Sequence, residues 1–267
     1  MTRLQRHCGT TGWTSMSIPD LTHDAFLGGR LKLWKPKQGY RAGVDPVLLA
    51  ASIAAKAGES VLDLGCGAGA AALCLGRRVE GLELHGLELQ PFYAELAEKN
   101  AAENEIPFTV HQGDVADMPA ALKERRFHHV LTNPPYFDRE TGSKAPDTLR
   151  ETAMGGASLP LWLEAAARRL LPKGYLTLIC RAERVPELLA GLPDYLGSCE
   201  LWPILPRAGQ PSQLVLLRAR HSGRAAFRLH AGLLMHKGVA HTADAESYTD
   251  EIAEVLRNAV SLPFPKK

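Results

Sequence analysis

The stretch Val61-Leu62-Asp63-Leu64-Gly65-Cys66-Gly67-Ala68-Gly69 limits what this chain can fold into more than any other part of it. A short apolar run breaks into three alternate glycines, and these open an Ala/Leu-rich segment with the composition of a helix. Glycine in such a turn lets the backbone take positive φ and approach a ligand closely, while the run before it has the length of a buried strand. From Glu59 onward short apolar runs keep alternating with amphipathic stretches, the pattern of βαβ units and a parallel sheet. The expected strands cover 60–64, 82–87, 108–112, 128–132 and 175–180. One helix is expected after Gly69, one over 91–103 with Pro91 in its first turn, and one over 159–171 stopped by Pro172 and Gly174. Residues 199–205 and 213–218 read as two further strands joined by a Pro/Gly-rich turn, an antiparallel hairpin at the sheet edge.

With 267 residues, 45% hydrophobic and 22% charged, the chain can bury a full core and is too balanced for wholesale disorder. Four segments are expected: a disordered extension over 1–17 with a second methionine, Met16, near its end; a lid or substrate segment over 18–58; the main domain over 59–220; and an extension over 221–267 packed on that domain. No apolar run approaches the roughly 20 residues that cross a bilayer, and the N-terminus lacks a signal-peptide pattern, so a cytoplasmic protein is expected with no membrane partner. The five cysteines Cys8, Cys66, Cys74, Cys180 and Cys199 are scattered without metal-ligand spacing, which points to reduced thiols and no metal site. Cys66 reads as a packing residue, and His128 and His129 as strand residues without a metal-spaced partner.

A net charge of +2 argues for no particular partner, but its distribution is uneven. Arg30, Lys32, Lys35, Lys37 and Arg41 fall in an acid-free stretch between Asp24 and Asp45, with Trp34 and Tyr40 among them. A second acid-free stretch over 201–243 holds Arg207, Arg218, Arg220, Arg224, Arg228 and Lys237. Joined in space they would suit phosphates; apart they are solvated loop charges.

The glycine loop alone fits two ligands. A dinucleotide enzyme would use a similar turn, with Glu88 at a suitable distance for a ribose, which keeps a nicotinamide-dependent oxidoreductase open. The spacing here is GxGxG, however, and a carboxylate, Asp63, immediately precedes it. A ligand with an ammonium group, such as S-adenosylmethionine, suits that carboxylate better than a pyrophosphate does. Glu88 closes the second strand and is suited to ribose hydroxyls; Asp114, in Gly113-Asp114-Val115 after the third, is suited to an adenine amino group.

The fourth strand ends in Asn133-Pro134-Pro135-Tyr136. Two prolines fix the backbone and withhold two N–H donors, leaving local carbonyls as acceptors for an outside donor. An exocyclic amino group fits. Its two hydrogens would go to the Asn133 side-chain oxygen and the Pro134 carbonyl, returning electron density to a nitrogen that attacks a methyl donor, while Tyr136 stacks on the base.

The ordered set Asp63 to Gly69, Glu88, Asp114 and Asn133 to Tyr136 resembles the class I amino-methyltransferases that act on adenine, guanine or glutamine amides. The segment from Pro36 to Asp45 followed by Leu48-Leu49-Ala50, with Pro206-Arg207-Ala208-Gly209-Gln210 and Leu214-Val215-Leu216, is similar to the bacterial tRNA1(Val) adenine-37 N6-methyltransferase family. The resemblance covers residues 26–220. It implies an α/β, Rossmann-like class I methyltransferase fold with a mostly parallel seven-stranded sheet and an antiparallel C-terminal hairpin. It also implies S-adenosyl-L-methionine as cofactor, S-adenosyl-L-homocysteine as product, and tRNA as partner. Cofactor contacts are expected at Asp63, Gly65, Cys66, Gly67, Gly69, Glu88, Leu89, Asp114, Val115 and Asn133, and by analogy at Tyr40 and Arg41. Lys35, Lys37, Asp45 and Arg207 are expected on the substrate side, and Asn133, Pro134, Pro135 and Tyr136 at the reaction centre. The same chemistry leaves open a glutamine side chain of a translation factor or a guanine amino group of ribosomal RNA. Trp162, on one helical face with Leu159, Leu163 and Ala166, reads as core.

Overall fold

The computed structural model describes residues 20–37, 43–134, 157–238 and 247–266. The chain opens with an antiparallel hairpin, β1 (Leu21–Phe26) and β2 (Leu31–Pro36), followed by α1 (Asp45–Ser52). There follow β3 (Ser60–Leu64), α2 (Ala70–Arg78), β4 (Glu83–Glu88), α3 (Pro91–Glu103), β5 (Phe108–Gln112), the short α4 (Ala120–Lys123) and β6 (Phe127–Thr132). After α5 (Leu159–Arg168) come β7 (Leu170–Arg181), α6 (Val185–Ala190), β8 (Leu196–Leu205), β9 (Leu214–His221), the two-residue strands β10 (Arg228–Leu229) and β11 (Leu233–Leu234), and α7 (Asp250–Asn258).

The main sheet runs β10-β8-β9-β7-β6-β3-β4-β5, with β11 also on β8. From β5 to β7 the pairing is parallel, and β9 runs antiparallel to both β7 and β8. Seven long strands thus form the expected sheet, and the chain beyond residue 220 adds two short ones. The expected hairpin β8/β9 is present but is not the outer edge, because β10 and β11 pair with the far side of β8. Chain direction across the sheet reverses between β3 and β6: the first half grows outward through β4 and β5, the second through β7. Such a switch opens a crevice at the C-terminal strand ends, the general ligand position in open α/β sheets.

Strand β3 is buried at all five positions, as a central parallel strand should be. Leu62 and Leu64 pack with Phe127, Leu163, Leu176 and Leu178 on one face; Val61 packs with Leu49, Leu73 and Leu75 on the other. The helix expected over 159–171 ends at Arg168, and this is a correction. The backbone N–H of Phe127 donates to the Arg169 carbonyl at 2.7 Å, and Leu170 already pairs with Phe127. Pro172 and Gly174 therefore do not stop a helix; they lie in a register shift within β7. A Cβ on Gly174 would come 2.9 Å from the His128 carbonyl oxygen, so the neighbouring strand leaves room for glycine alone.

The hairpin β1/β2 docks on α3 by an arrangement that no local pattern announces. Asn100 and Asn104, one helical turn apart, act as a surrogate strand for the free edge of β2. Asn104 accepts from the Lys32 N–H at 2.9 Å and donates to the Lys32 carbonyl at 2.7 Å; Asn100 accepts from the Trp34 N–H at 2.8 Å and donates to its carbonyl at 3.0 Å. Trp34 adds an indole N–H bond to Glu103 at 2.6 Å and lies under Lys99. Helix α7 is capped by the Thr249 hydroxyl and packs on α1 and on the turn between β1 and β2.

Candidate active site

The glycine loop joins β3 to α2 and begins with a double acceptance: the N–H groups of Gly65 and Cys66 both donate to the Leu87 carbonyl, at 2.8 and 3.0 Å. This ties the loop to the end of β4. Gly65, Gly67 and Gly69 have φ of +74°, +54° and +84°, so each needs the left-handed freedom that the sequence suggested. Their surroundings differ. A Cβ on Gly65 would lie 2.8 Å from the ring of Trp162, whereas one on Gly67 would meet nothing within 4 Å among the described residues. Gly67 therefore faces open space at the strand ends. Cys66 is buried against Gly86, and burial, with Asp63 and Glu88 nearby, holds its thiol well above the usual range. It is a packing residue, as expected.

Asp63 is buried at the end of β3 and accepts from the Ala72 N–H at 3.1 Å. Because the N-cap of α2 is a glycine with no side chain to offer, this strand carboxylate takes over the capping role on the third helical N–H. Glu88, also buried, accepts from the N–H of Gly67 and of Gln90, both at 2.9 Å. Burial raises the pKa of both acids, and for Asp63, with Glu88 adding repulsion, it is pushed up to about 7. Neither carboxylate meets a cationic side chain among the described residues. Asp114, more open after β5, accepts from the Ala116 N–H at 2.8 Å; Val115 beside it is buried, and Leu89 is half-buried after β4. The three acids thus stand at the ends of β3, β4 and β5, where the sequence put them.

Asn133 and Pro134 follow β6, the strand on the other side of β3, with Asp63 in register with Leu131. Pro134 is buried and Asn133 half-buried. One polar chain links this corner to the glycine loop. The Trp162 indole N–H donates to the Thr132 hydroxyl at 2.9 Å, and that hydroxyl donates to the Leu64 carbonyl at 2.7 Å. From sequence alone Trp162 reads as core, and Thr132 carries no signal of a role. Trp162 is indeed in the core, and it also makes this bond; the residue type signals burial, while the bond depends on two strands and a helix meeting. Asn100 was missed for the same reason: it donates to the Ala68 carbonyl at 2.9 Å and so ties the β1/β2 hairpin to the glycine loop. Tyr40, Arg41, Pro135 and Tyr136 lie outside the described residues.

Several basic residues already hold partners. Lys35 pairs with Asp24 at 2.5 Å and Lys37 with Asp20 at 3.2 Å, both across the hairpin. Arg207 donates to the Lys237 and Gly238 carbonyls and to the Ser247 hydroxyl. Glu200, buried in β8, gathers Arg218, Arg228 and His230. The acid-free stretches of sequence are therefore not acid-free in space. Asp45 begins α1. The four cysteines among the described residues are free thiols. No group of three or more His, Cys, Asp or Glu among the described residues gathers as a metal would require, and no helix there is long and apolar enough to cross a membrane.

A parallel sheet whose strand order reverses at β3/β6, with a GxGxG turn after β3 and acids closing the next two strands, is the architecture of the class I S-adenosylmethionine-dependent methyltransferases. A family model described as the methyltransferase small domain matches residues 42–201, and the chain belongs to that family. It is similar to the tRNA1(Val) (adenine(37)-N6)-methyltransferase of Actinobacillus succinogenes, with 32% identity over 200 residues covering 73% of this chain and 82% of that protein. The protein of the same description from Porphyromonas gingivalis strain W83 is 34% identical over 160 residues, covering 55% of this chain and 61% of that relative's length. A crystal structure described as a predicted O-methyltransferase from Agrobacterium tumefaciens superposes with a TM-score of 0.66 at 27% identity, covering 82% of this chain and 99% of that one.

Proposed function

We propose that this protein transfers a methyl group from S-adenosylmethionine to the exocyclic amino group of an adenine in tRNA, adenosine 37 of a valine tRNA by likeness to its relatives. The observation that carries the methyl donor is the pair of buried carboxylates Asp63 and Glu88, which have only backbone N–H partners and no compensating cation among the described residues. Burial of unpaired negative charge is costly, and a ligand bringing an ammonium group relieves it. Gly65 to Gly69 offer backbone at close approach, with open space before Gly67, and Glu88 and Asp114 retain acceptor capacity for hydroxyl and amino hydrogens. Leu89 and Val115 supply apolar contact along the same strand ends. When bound, S-adenosylmethionine supplies an electrophilic methyl group.

The chain's own part is to hold and orient the amino nitrogen. The Asn133 side-chain oxygen and the Pro134 carbonyl accept its two hydrogens, which raises electron density on nitrogen; as the N–C bond formed, the methyl–sulfur bond would break to leave S-adenosylhomocysteine and one amino hydrogen would depart as a proton. Pro134 and Pro135 carry no N–H, so neither of these two residues offers a backbone donor to these acceptors. Tyr136 stacks on the base, and Tyr40 and Arg41 close over the cofactor side. At the rim, Lys37 exchanges its exposed partner Asp20 for an RNA phosphate; Lys35, Asp45 and Arg207 act more remotely, by holding the segments that flank the site. Supporting the RNA reading are the relatives named for tRNA adenine methylation and the stacking residue of the motif. The direct test incubates the purified protein with labelled S-adenosylmethionine and unmodified tRNA, followed by mass spectrometry of the nucleosides. N6-methyladenosine at one position is expected. Methyl transfer to guanine, or to a glutamine side chain of a translation factor in place of RNA, would overturn the substrate assignment.

A further inference from the structure

We infer that Trp162 and Thr132 form a positioning couple that sets the spacing between the glycine loop and the acceptor corner. This rests on the proposed roles of those two segments and adds residues that neither motif contains.

The couple is defined by contacts at both ends. Thr132 is the last residue of β6 and the immediate neighbour of Asn133, so any rotation of its backbone moves the acceptor side chain. Its hydroxyl is fully buried, accepts from the Trp162 indole at 2.9 Å and donates to the Leu64 carbonyl at 2.7 Å. Leu64 is in turn the last residue of β3 and the immediate neighbour of Gly65. A single hydroxyl thus bridges the two strand ends from which the donor and acceptor segments depart, at the point where β3 and β6 diverge: register pairing between them is present at Val61, Leu62 and Asp63. Beyond that pairing, the Thr132 side chain supplies the link.

Trp162 controls the bridge from a third element. Its indole N–H commits the Thr132 oxygen as an acceptor, which leaves the hydroxyl hydrogen for Leu64 and fixes the direction of the whole chain. The same ring lies against the Cα of Gly65, where an added Cβ would fall 2.8 Å from Cζ2 and 3.1 Å from Cη2. One side chain therefore touches the first glycine of the donor loop through its carbon edge and the acceptor strand through its nitrogen. It lies on α5, so a third element braces the two strand ends. Transfer between two bound groups is sensitive to their relative placement, with a misplacement of about 1 Å costing on the order of a hundredfold in rate. A buried, oriented three-member chain is suited to that constraint. Simple filling of the core would be served as well by a phenylalanine and a valine.

The test compares Thr132→Val, which keeps the shape and removes the hydroxyl, with Thr132→Ser, which keeps the hydroxyl, and adds Trp162→Phe. Methyl transfer to tRNA and affinity for S-adenosylhomocysteine are measured on each folded full-length variant. A fall in kcat of roughly tenfold or more is expected for Thr132→Val and Trp162→Phe, with KM for tRNA and cofactor-product affinity changed by less than about threefold, and with Thr132→Ser recovering most of the rate. If Thr132→Val and Thr132→Ser behave alike, or if kcat and affinity fall together, the couple is only structural and the inference fails. A second readout is independent of turnover: the Trp162 indole N–H resonance, assigned by its loss in Trp162→Phe, should shift on binding S-adenosylhomocysteine and in Thr132→Val. An indole resonance indifferent to the cofactor product overturns the inference. A wild-type protein that methylates no adenine, with that resonance still responsive, instead refutes the substrate reading and leaves the couple standing.

Discussion

Asp63 and Glu88 close neighbouring parallel strands as buried acids, and each is held by backbone N–H groups, Ala72 for the first and Gly67 and Gln90 for the second. Their shared environment gives the site its electrostatic character. Burial, and for Asp63 the charge of its neighbour, works against ionisation.

Cofactor affinity should accordingly depend on pH through Asp63. In the free protein this group titrates near 7, well above the ordinary carboxylate range, so the folded state takes up a proton that the unfolded chain would lack at mildly acid pH. Its contribution to stability is fully present below the unfolded value and fades as pH rises through about 7. A ligand with an ammonium group needs the ionised form, and its binding releases that proton. Calorimetry with S-adenosylhomocysteine should show affinity rising between about pH 6 and pH 8, by up to roughly tenfold per unit on the acid side, with proton release in buffers of different ionisation enthalpy. Asp63→Asn keeps an oxygen for the Ala72 N–H, and in it the affinity should be lower and nearly flat with pH. An unchanged pH dependence in that variant would assign the titration to another group.

The loop glycines separate folding from binding. Gly65→Ala combines a φ of +74° with a Cβ driven into Trp162, and should lower stability by about 2–4 kcal/mol in urea unfolding. Gly67→Ala should meet the left-handed backbone penalty of about 1 kcal/mol, since no described residue stands within 4 Å of the new methyl. That open space is where the ligand is proposed to lie. Gly67→Ala should therefore fold nearly normally and bind S-adenosylhomocysteine at least about tenfold more weakly, a loss of about 1.4 kcal/mol. Normal binding by Gly67→Ala would remove the ligand from this side of the loop.

Asn100 and Asn104 should likewise part company. Both hold the edge of β2, and truncating either leaves part-buried backbone groups unpaired, at a cost of about 1 kcal/mol in chemical denaturation. Only Asn100 also reaches the Ala68 carbonyl. Asn100→Ala should weaken binding of S-adenosylhomocysteine as well as loosening the hairpin, whereas Asn104→Ala should only loosen it. Equal effects on binding would show that the hairpin does not act through the loop.

Local pattern made a good deal of this molecule legible. Strands β3 and β5 and helix α3 have the expected bounds, because a continuous apolar run, a glycine turn and a proline at the first helical position are decided within a few residues. The strand-end acids followed from that frame. Features fixed by distant partners were not legible. The start of β7 looked helical because Leu170 and Leu171 continue the apolar periodicity of α5, yet pairing with Phe127 draws Leu170 into the sheet. The β1/β2 hairpin was read as a lid segment since its docking partner is a pair of asparagine side chains more than sixty residues away. Counter-ions misled in the same way: Lys35 meets Asp24 and Lys237 meets Asp250 from outside the acid-free runs that drew attention to them.

The proposed chemistry depends on Asn133 accepting hydrogens from the substrate amino group, with any contact it makes to the cofactor secondary to those of Asp63 and Glu88, and Asn133→Ala tests this most directly. Steady-state methyl transfer to tRNA and the Kd for S-adenosylhomocysteine should be measured side by side on the folded variant. That role of Asn133 predicts kcat lower by roughly a hundredfold or more with product affinity nearly unchanged, the scale of losing one oriented polar contact in the transition state. Turnover close to wild type, or an equal loss of turnover and affinity, would contradict it.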